Sequence, residues 1–165
     1  MRLQLDSAEA TDVLGQRMAQ WRPPAAVIYL QGDLGAGKST LARALLRSLG
    51  VQGAIRSPTY TLVERYPLFD GETPAGEAWH LDLYRIADAA ELDFLGLDEA
   101  QVTVWLVEWP EKAGTGLPPP DLHVALETRG SGRGAVLEAR TPVGEEWLRF
   151  LAADAQLQSL SVQKT

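Results

Sequence analysis

The chain has 165 residues, 45% of them hydrophobic and 22% charged, a make-up that favours one soluble globular domain. It has no cysteine, which excludes disulfides and thiolate metal sites, and its net charge of −7, from 22 acidic and 15 basic residues, disfavours autonomous binding to nucleic acid. No stretch approaches the roughly 20 apolar residues of a membrane helix, and residues 1–20 carry acidic side chains without a cleavable apolar run, so a cytoplasmic protein with no signal peptide and no membrane partner is expected.

In chain order, Leu3 and Leu5 alternate with polar neighbours in a short opening strand. Asp6-Ser7-Ala8-Glu9 reads as a helix start, a capping side chain followed three residues later by Glu9. Ala10, Val13, Leu14, Met18 and Trp21 then recur at helical spacing until Pro23-Pro24. Residues 25–30 form a continuous apolar run, the pattern of a strand buried on both faces of a parallel sheet. A Gly-rich turn leads into a predicted helix over 38–49, stopped by Gly50. Strand patterns recur at 60–65, 79–84 and 102–109, with a helical stretch at 87–94 and a flexible one at 69–76. After a Gly- and Pro-rich loop at 110–120, strands at 122–127 and 135–139 flank the hairpin signal Gly130-Ser131-Gly132-Arg133-Gly134. A closing helix is predicted over 145–153, with Trp147, Leu148 and Leu151 on one face.

Gly32-Asp33-Leu34-Gly35-Ala36-Gly37-Lys38-Ser39 fits G-x-x-x-x-G-K-[ST], the phosphate-cradling P-loop pattern. The glycines permit backbone angles and close approaches that a side chain would block. Loop amides then converge on an anion at the N-terminus of the next helix, whose dipole favours phosphate. Lys38 suits the β- and γ-phosphates, Ser39 a magnesium ion and Thr40 the α-phosphate. The apolar strand upstream and the helix downstream are the context this motif requires. Together these features predict an α/β, three-layer P-loop NTPase-like fold with a mainly parallel central sheet and a C-terminal antiparallel hairpin. One domain over 1–155 and a flexible tail over 156–165 are expected.

Turnover of a nucleotide also needs carboxylates for the metal and the attacking water. Asp82, in His80-Leu81-Asp82-Leu83-Tyr84-Arg85, and Glu108, closing Val104-Trp105-Leu106-Val107-Glu108, sit where strands should end. Sites in such sheets lie beyond the carboxyl ends of strands, which favours Glu108; the bland alternative is that both acids merely cap helices or face solvent. Ser57-Pro58-Thr59-Tyr60-Thr61 reads equally as a phosphate-ordered switch or as an ordinary turn. His80 and His123 lack metal-ligand spacing and read as packed or surface residues, and Trp79, Trp105 and Trp109 as core.

The assembled motifs resemble the TsaE (YjeE) family of bacterial P-loop ATPases. The matching segments are GDLGAGKST at 32–40, SPTYTLVE at 57–64, HLDLYR at 80–85, ELDFLGLDE at 91–99 and VEWPEKAG at 108–115. The resemblance implies an ATP- and Mg2+-binding protein that works with TsaB and TsaD to install threonylcarbamoyl on the adenosine beside the anticodon, touching tRNA only through that complex. It also implies phosphate binding by Gly35, Ala36, Gly37, Lys38, Ser39 and Thr40, and metal binding by Ser39 and Glu108. Asp82 would be an additional catalytic or metal-supporting carboxylate, and Thr11 would lie near the base. The residues themselves leave open a small-molecule kinase, though the lid candidate at 111–120 has no arginine, and a non-catalytic nucleotide-gated module. No Asn-Lys-x-Asp segment supports a GTPase. Hydrolysis by the isolated protein is expected to be slow, because no arginine finger is evident.

Overall fold

A computed structural model describes residues 1–58, 61–95, 97 and 102–162. The chain runs β1 (Arg2–Leu5), α1 (Ala8–Trp21), β2 (Ala26–Gln31), α2 (Lys38–Ser48), β3 (Val63–Asp70), β4 (Thr73–Asp82), β5 (Val102–Glu108), β6 (Leu122–Arg129), β7 (Gly132–Ala139), α3 (Pro142–Ala153) and α4 (Ala155–Ser159). Short 3-10 turns occupy Ala89–Leu95 and Pro110–Lys112. The strands form one sheet in the order β1-β7-β6-β2-β5-β4-β3. Its inner strands β6, β2, β5 and β4 are parallel. Antiparallel partners flank them: β3 on β4, β7 on β6 and β1 on β7. The α/β class, the parallel centre and the C-terminal hairpin are thus as the sequence predicts.

Alternation along the inner strands divides the core into two layers. Ile28 and Leu30 of β2, Val104 and Leu106 of β5, and Ala78 of β4 pack on one face with Leu14 and Met18 of α1 and Leu41 and Leu45 of α2. Trp79, Leu81, Trp105 and Val107 point to the other face, which is closed by Leu92 of the 3-10 turn and Ala113 of the following loop. The segment predicted as a helix over 87–94 is therefore a 3-10 turn, bonded from Ala87 and Asp88 amides to Glu91 Oε1. No described helix is long and apolar enough to cross a membrane.

Several local expectations shift. The cap of α1 is Ser7, whose hydroxyl accepts from the Ala10 amide; Asp6 instead accepts from Gln4 Nε2. Residues 69–76, expected to be flexible, form the ends of β3 and β4 and the turn between them. The strand predicted at 60–65 begins at Val63, and Thr59 and Tyr60 lie outside the described residues, as do Gly96, Asp98 and Glu99 of ELDFLGLDE. The helix predicted over 145–153 starts earlier, at Pro142, with Thr141 Oγ1 accepting from the Gly144 amide.

Where composition predicts a loose tail from 156, the chain forms α4, capped by Asp154, and buries Leu157 completely. The Gln4 amide donates to Leu160 O and the Val162 amide to Arg2 O, so the tail covers the outer edge of β1. Residues 163–165 lie outside the description. Because Leu157 belongs to the main core, Leu157→Ala is expected to destabilise the protein by about 2–5 kcal/mol. Chemical denaturation checks this; a change below about 0.5 kcal/mol would mean that the tail does not dock in solution.

Candidate nucleotide site at the carboxyl ends of β2, β4 and β5

The loop from Gly32 to Gly37 joins β2 to α2. Gly32, at φ 145°, runs so close to β6 that a Cβ would lie 2.2 Å from Leu126 O. Gly37, at φ 106°, caps α2 without any side-chain acceptor, which leaves first-turn amides of the helix open to a ligand. Ala36 is not exposed to that space: its methyl enters the core and its amide donates to Asp33 O. Lys38 is 4% exposed. Its Nζ donates to Gly32 O at 2.7 Å and Asp33 O at 2.9 Å, and sits 4.2 Å from the Trp109 ring centroid. Burial lowers its pKa from the ordinary lysine value, opposed by the charges of Glu108 and Asp82.

Strand register brings the acids together. Ala78 pairs with Val104, His80 with Leu106 and Asp82 with Glu108, so His80, Asp82 and Glu108 continue two apolar rows on the α1–α2 face. Glu108 is 2% exposed, and both its oxygens are engaged. Oε2 accepts from Ser39 Oγ at 3.0 Å, and Oε1 lies 2.7 Å from His80 Nε2. Asp82 accepts from the Tyr84 amide at 3.1 Å. Burial pushes the Asp82 carboxyl up from the ordinary range, against that amide's pull and with Glu108 adding to the rise.

Two cavities meet across the loop. One, of about 370 Å³, is lined by Lys38, Ser39, Asp82, Glu108, Trp109 and Arg85 among others, with Ser57 at its wall. The other, of about 190 Å³, is lined by Thr11, Ser131 and Arg133. Gly35, Gly37 and Thr40 line both. Ser39 and Glu108 fit a magnesium ion in their chemistry: a hydroxyl and a carboxylate oxygen, hard donors of the kind Mg2+ takes, stand within 3.0 Å of each other. Among the described residues no group of three or more His, Asp or Glu is arranged to hold a metal. A cation here would rest on these two donors and complete its shell from water and phosphate oxygens.

The family model described as "Threonylcarbamoyl adenosine biosynthesis protein TsaE" matches residues 5–135. The chain belongs to the TsaE family. The tRNA threonylcarbamoyladenosine biosynthesis protein TsaE of Haemophilus influenzae is 44% identical over 124 residues, 73% of this chain and 75% of that one. The protein of the same name from Synechocystis is 41% identical over 66% of this chain and 69% of its own. The crystal structure of Bacillus subtilis YdiB superposes with a TM-score of 0.74 at 24% identity, covering 93% of this chain and 94% of that one, which establishes the shared fold.

Within this TsaE-family chain, the predicted residues separate into two groups. Lys38, Ser39, Asp82 and Glu108 meet around one cavity, whereas Thr11 lies across the loop in the other. Among the described residues of the switch-like segment, Ser57 reaches the site; Thr59 and Tyr60 lie outside the description. Sequence reasoning missed four contributors. His80 is not an isolated histidine but a partner of Glu108, and the signal was its even spacing from Asp82 on one strand face. Trp109 belongs to the site wall rather than only to the core, and Arg85 lines the same cavity although no arginine is evident from spacing. Arg133 sits in the hairpin as predicted, yet the sheet order carries that hairpin to the loop. His123, on β6, stays outside both cavities, its pKa lowered chiefly by burial.

The raised Asp82 pKa has a defined sign for stability. The native state binds this proton more readily than the unfolded chain, so stability falls as pH rises from the ordinary value of 3.8 through the folded pKa. Asp82→Asn keeps an acceptor for the Tyr84 amide and removes the penalty. The variant is expected to melt a few degrees higher than the parent at pH 7 in the absence of nucleotide. That gap should close toward pH 4, as thermal melts across the range would reveal; a gap independent of pH contradicts this account.

Proposed function

We propose that this chain is a Mg2+-dependent ATPase that supports threonylcarbamoyladenosine modification of tRNA in the cytoplasm. In this reading it acts with TsaB and TsaD as a single domain and meets tRNA only through that complex. The observation that carries the proposal is the contact between Ser39 and the buried Glu108, two hard oxygen donors beside a P-loop with an uncapped helix end. Family membership supports the biological setting, and the net charge of −7 suits an indirect contact with tRNA.

Lys38 would leave the carbonyls of Gly32 and Asp33 for the β- and γ-phosphates, exchanging neutral acceptors for charged ones. Gly35, Gly37 and Thr40, which line both cavities, would hold the phosphate chain between them, with the base and ribose toward Thr11 and Arg133. Ser39 and Glu108 would hold Mg2+, whose positive charge would offset that of the phosphates. Asp82, its proton affinity raised by burial, would orient the attacking water and accept its proton. The contacts of Lys38 with the Gly32 and Asp33 carbonyls, together with the engaged Glu108, fit a protein that is slow alone and completed by partners.

A kinase lid finds less support. The segment 111–120 is held to the fold by Tyr29 Oη donating to Pro118 O and by Ala113, which is buried in the second core layer.

Removing the ammonium group tests the phosphate role. A charge-assisted hydrogen bond contributes about 1.5–3 kcal/mol, so Lys38→Ala should weaken ATP–Mg2+ binding roughly 10- to 150-fold by calorimetry; unaltered affinity would sink the proposal. Glu108→Gln should abolish hydrolysis, both alone and with TsaB and TsaD. A reconstituted tRNA modification assay should then lose sustained turnover with that variant; turnover equal to the parent's would remove the ATPase from the account.

A further inference from the structure

We infer that His80 is a positioning residue: it holds the Glu108 carboxylate through Oε1 so that Oε2 stays directed at Ser39, and thereby sets the metal affinity of the nucleotide-bound protein. The inference rests on the proposed Mg2+ role of Ser39 and Glu108. His80 is fully buried, where the apolar rows of the sheet face give way to Asp82 and Glu108. Ala78 precedes it on its own strand and Leu106 is its register partner. A leucine would pack there without a polar group to satisfy. The imidazole instead directs Nε2 to Glu108 at 2.7 Å, while its Nδ1 has no partner among the described residues. The contact of Nε2 with Glu108 is what distinguishes histidine from an apolar residue at this position.

The geometry also separates the two jobs of the carboxylate. Ser39 meets Oε2 and His80 meets Oε1, so each oxygen of the carboxylate has its own side-chain partner. Once a metal takes Oε2 and the Ser39 hydroxyl, His80 is the remaining side-chain donor among those that engage Glu108 in the described structure. Groups that orient a ligating carboxylate typically change metal affinity 10- to 100-fold when removed.

The test measures Mn2+ bound to the ADP-saturated protein by electron paramagnetic resonance, alongside ADP affinity in EDTA and a melting curve for each variant. His80→Phe removes the donor, His80→Asn is too short to reach Oε1, and His80→Gln offers an amide donor near the position of Nε2. The first two should bind Mn2+ about 10- to 100-fold more weakly, with metal-free ADP affinity unchanged, and His80→Gln should regain most of the loss. If His80→Phe fails to fold, the Asn and Gln variants carry the comparison. Folded His80→Asn or His80→Phe with the parent's Mn2+ affinity overturns the inference. Ser39→Ala and Glu108→Gln are measured in parallel: if they too bind Mn2+ like the parent, the proposed metal site itself falls, whereas losses in those two alone confine the failure to His80.

Discussion

A carboxylate buried at the end of a strand must find donors, and the solution found by Glu108 organises the site. Its two oxygens reach Ser39 at the start of α2 and His80 in β4, so one side chain on β5 ties three elements together. An ionised carboxylate left alone in this environment would be strongly destabilising. The phosphate loop, the sheet end and the second acidic strand are therefore fixed relative to one another before any ligand arrives. Such preorganisation is what a site that stabilises phosphate charge requires.

The sheet order explains why these groups converge. β2 lies between β5 and β6, so the chain leaves it at a point flanked by parallel neighbours on both sides. Crevices of this kind open at the carboxyl ends of the strands. Trp109, the residue after β5, adopts φ 58°, a left-handed conformation uncommon outside glycine. It brings its ring over Lys38 and within 4.9 Å of the Tyr84 ring centroid. The strained backbone and the aromatic wall thus belong to one corner, where the lysine is shielded from water and its proton affinity is lowered.

The loop separates two spaces of different character. On one side stand the acids, Lys38 and Arg85; on the other, Thr11 from α1 and Arg133 from the β6–β7 hairpin. Glycines at 35 and 37 line both, so a ligand crossing the loop would meet backbone rather than side chains. The C-terminal hairpin, distant in sequence, becomes part of this arrangement because β6 is the direct neighbour of β2.

Much of this was legible in the chain alone. The apolar run before Gly32, the glycine spacing and the Lys38-Ser39 pair specify a strand, a tight loop and a helix, because each depends on local backbone angles and hydrophobic periodicity. Placing Asp82 and Glu108 at strand ends needed only their positions in apolar runs. The pairing of His80 with Glu108 was not legible, since it depends on the register of β4 against β5, which long-range packing sets. The same holds for Arg133, placed by the order of strands, and for Leu157, whose burial in a polar tail depends on the packing of α4 against α1 and α3. Local patterning determined which elements form and which residues fit a phosphate-cradling pattern; tertiary register decided which side chains touch, because hydrogen bonds form between neighbours in space and not in sequence.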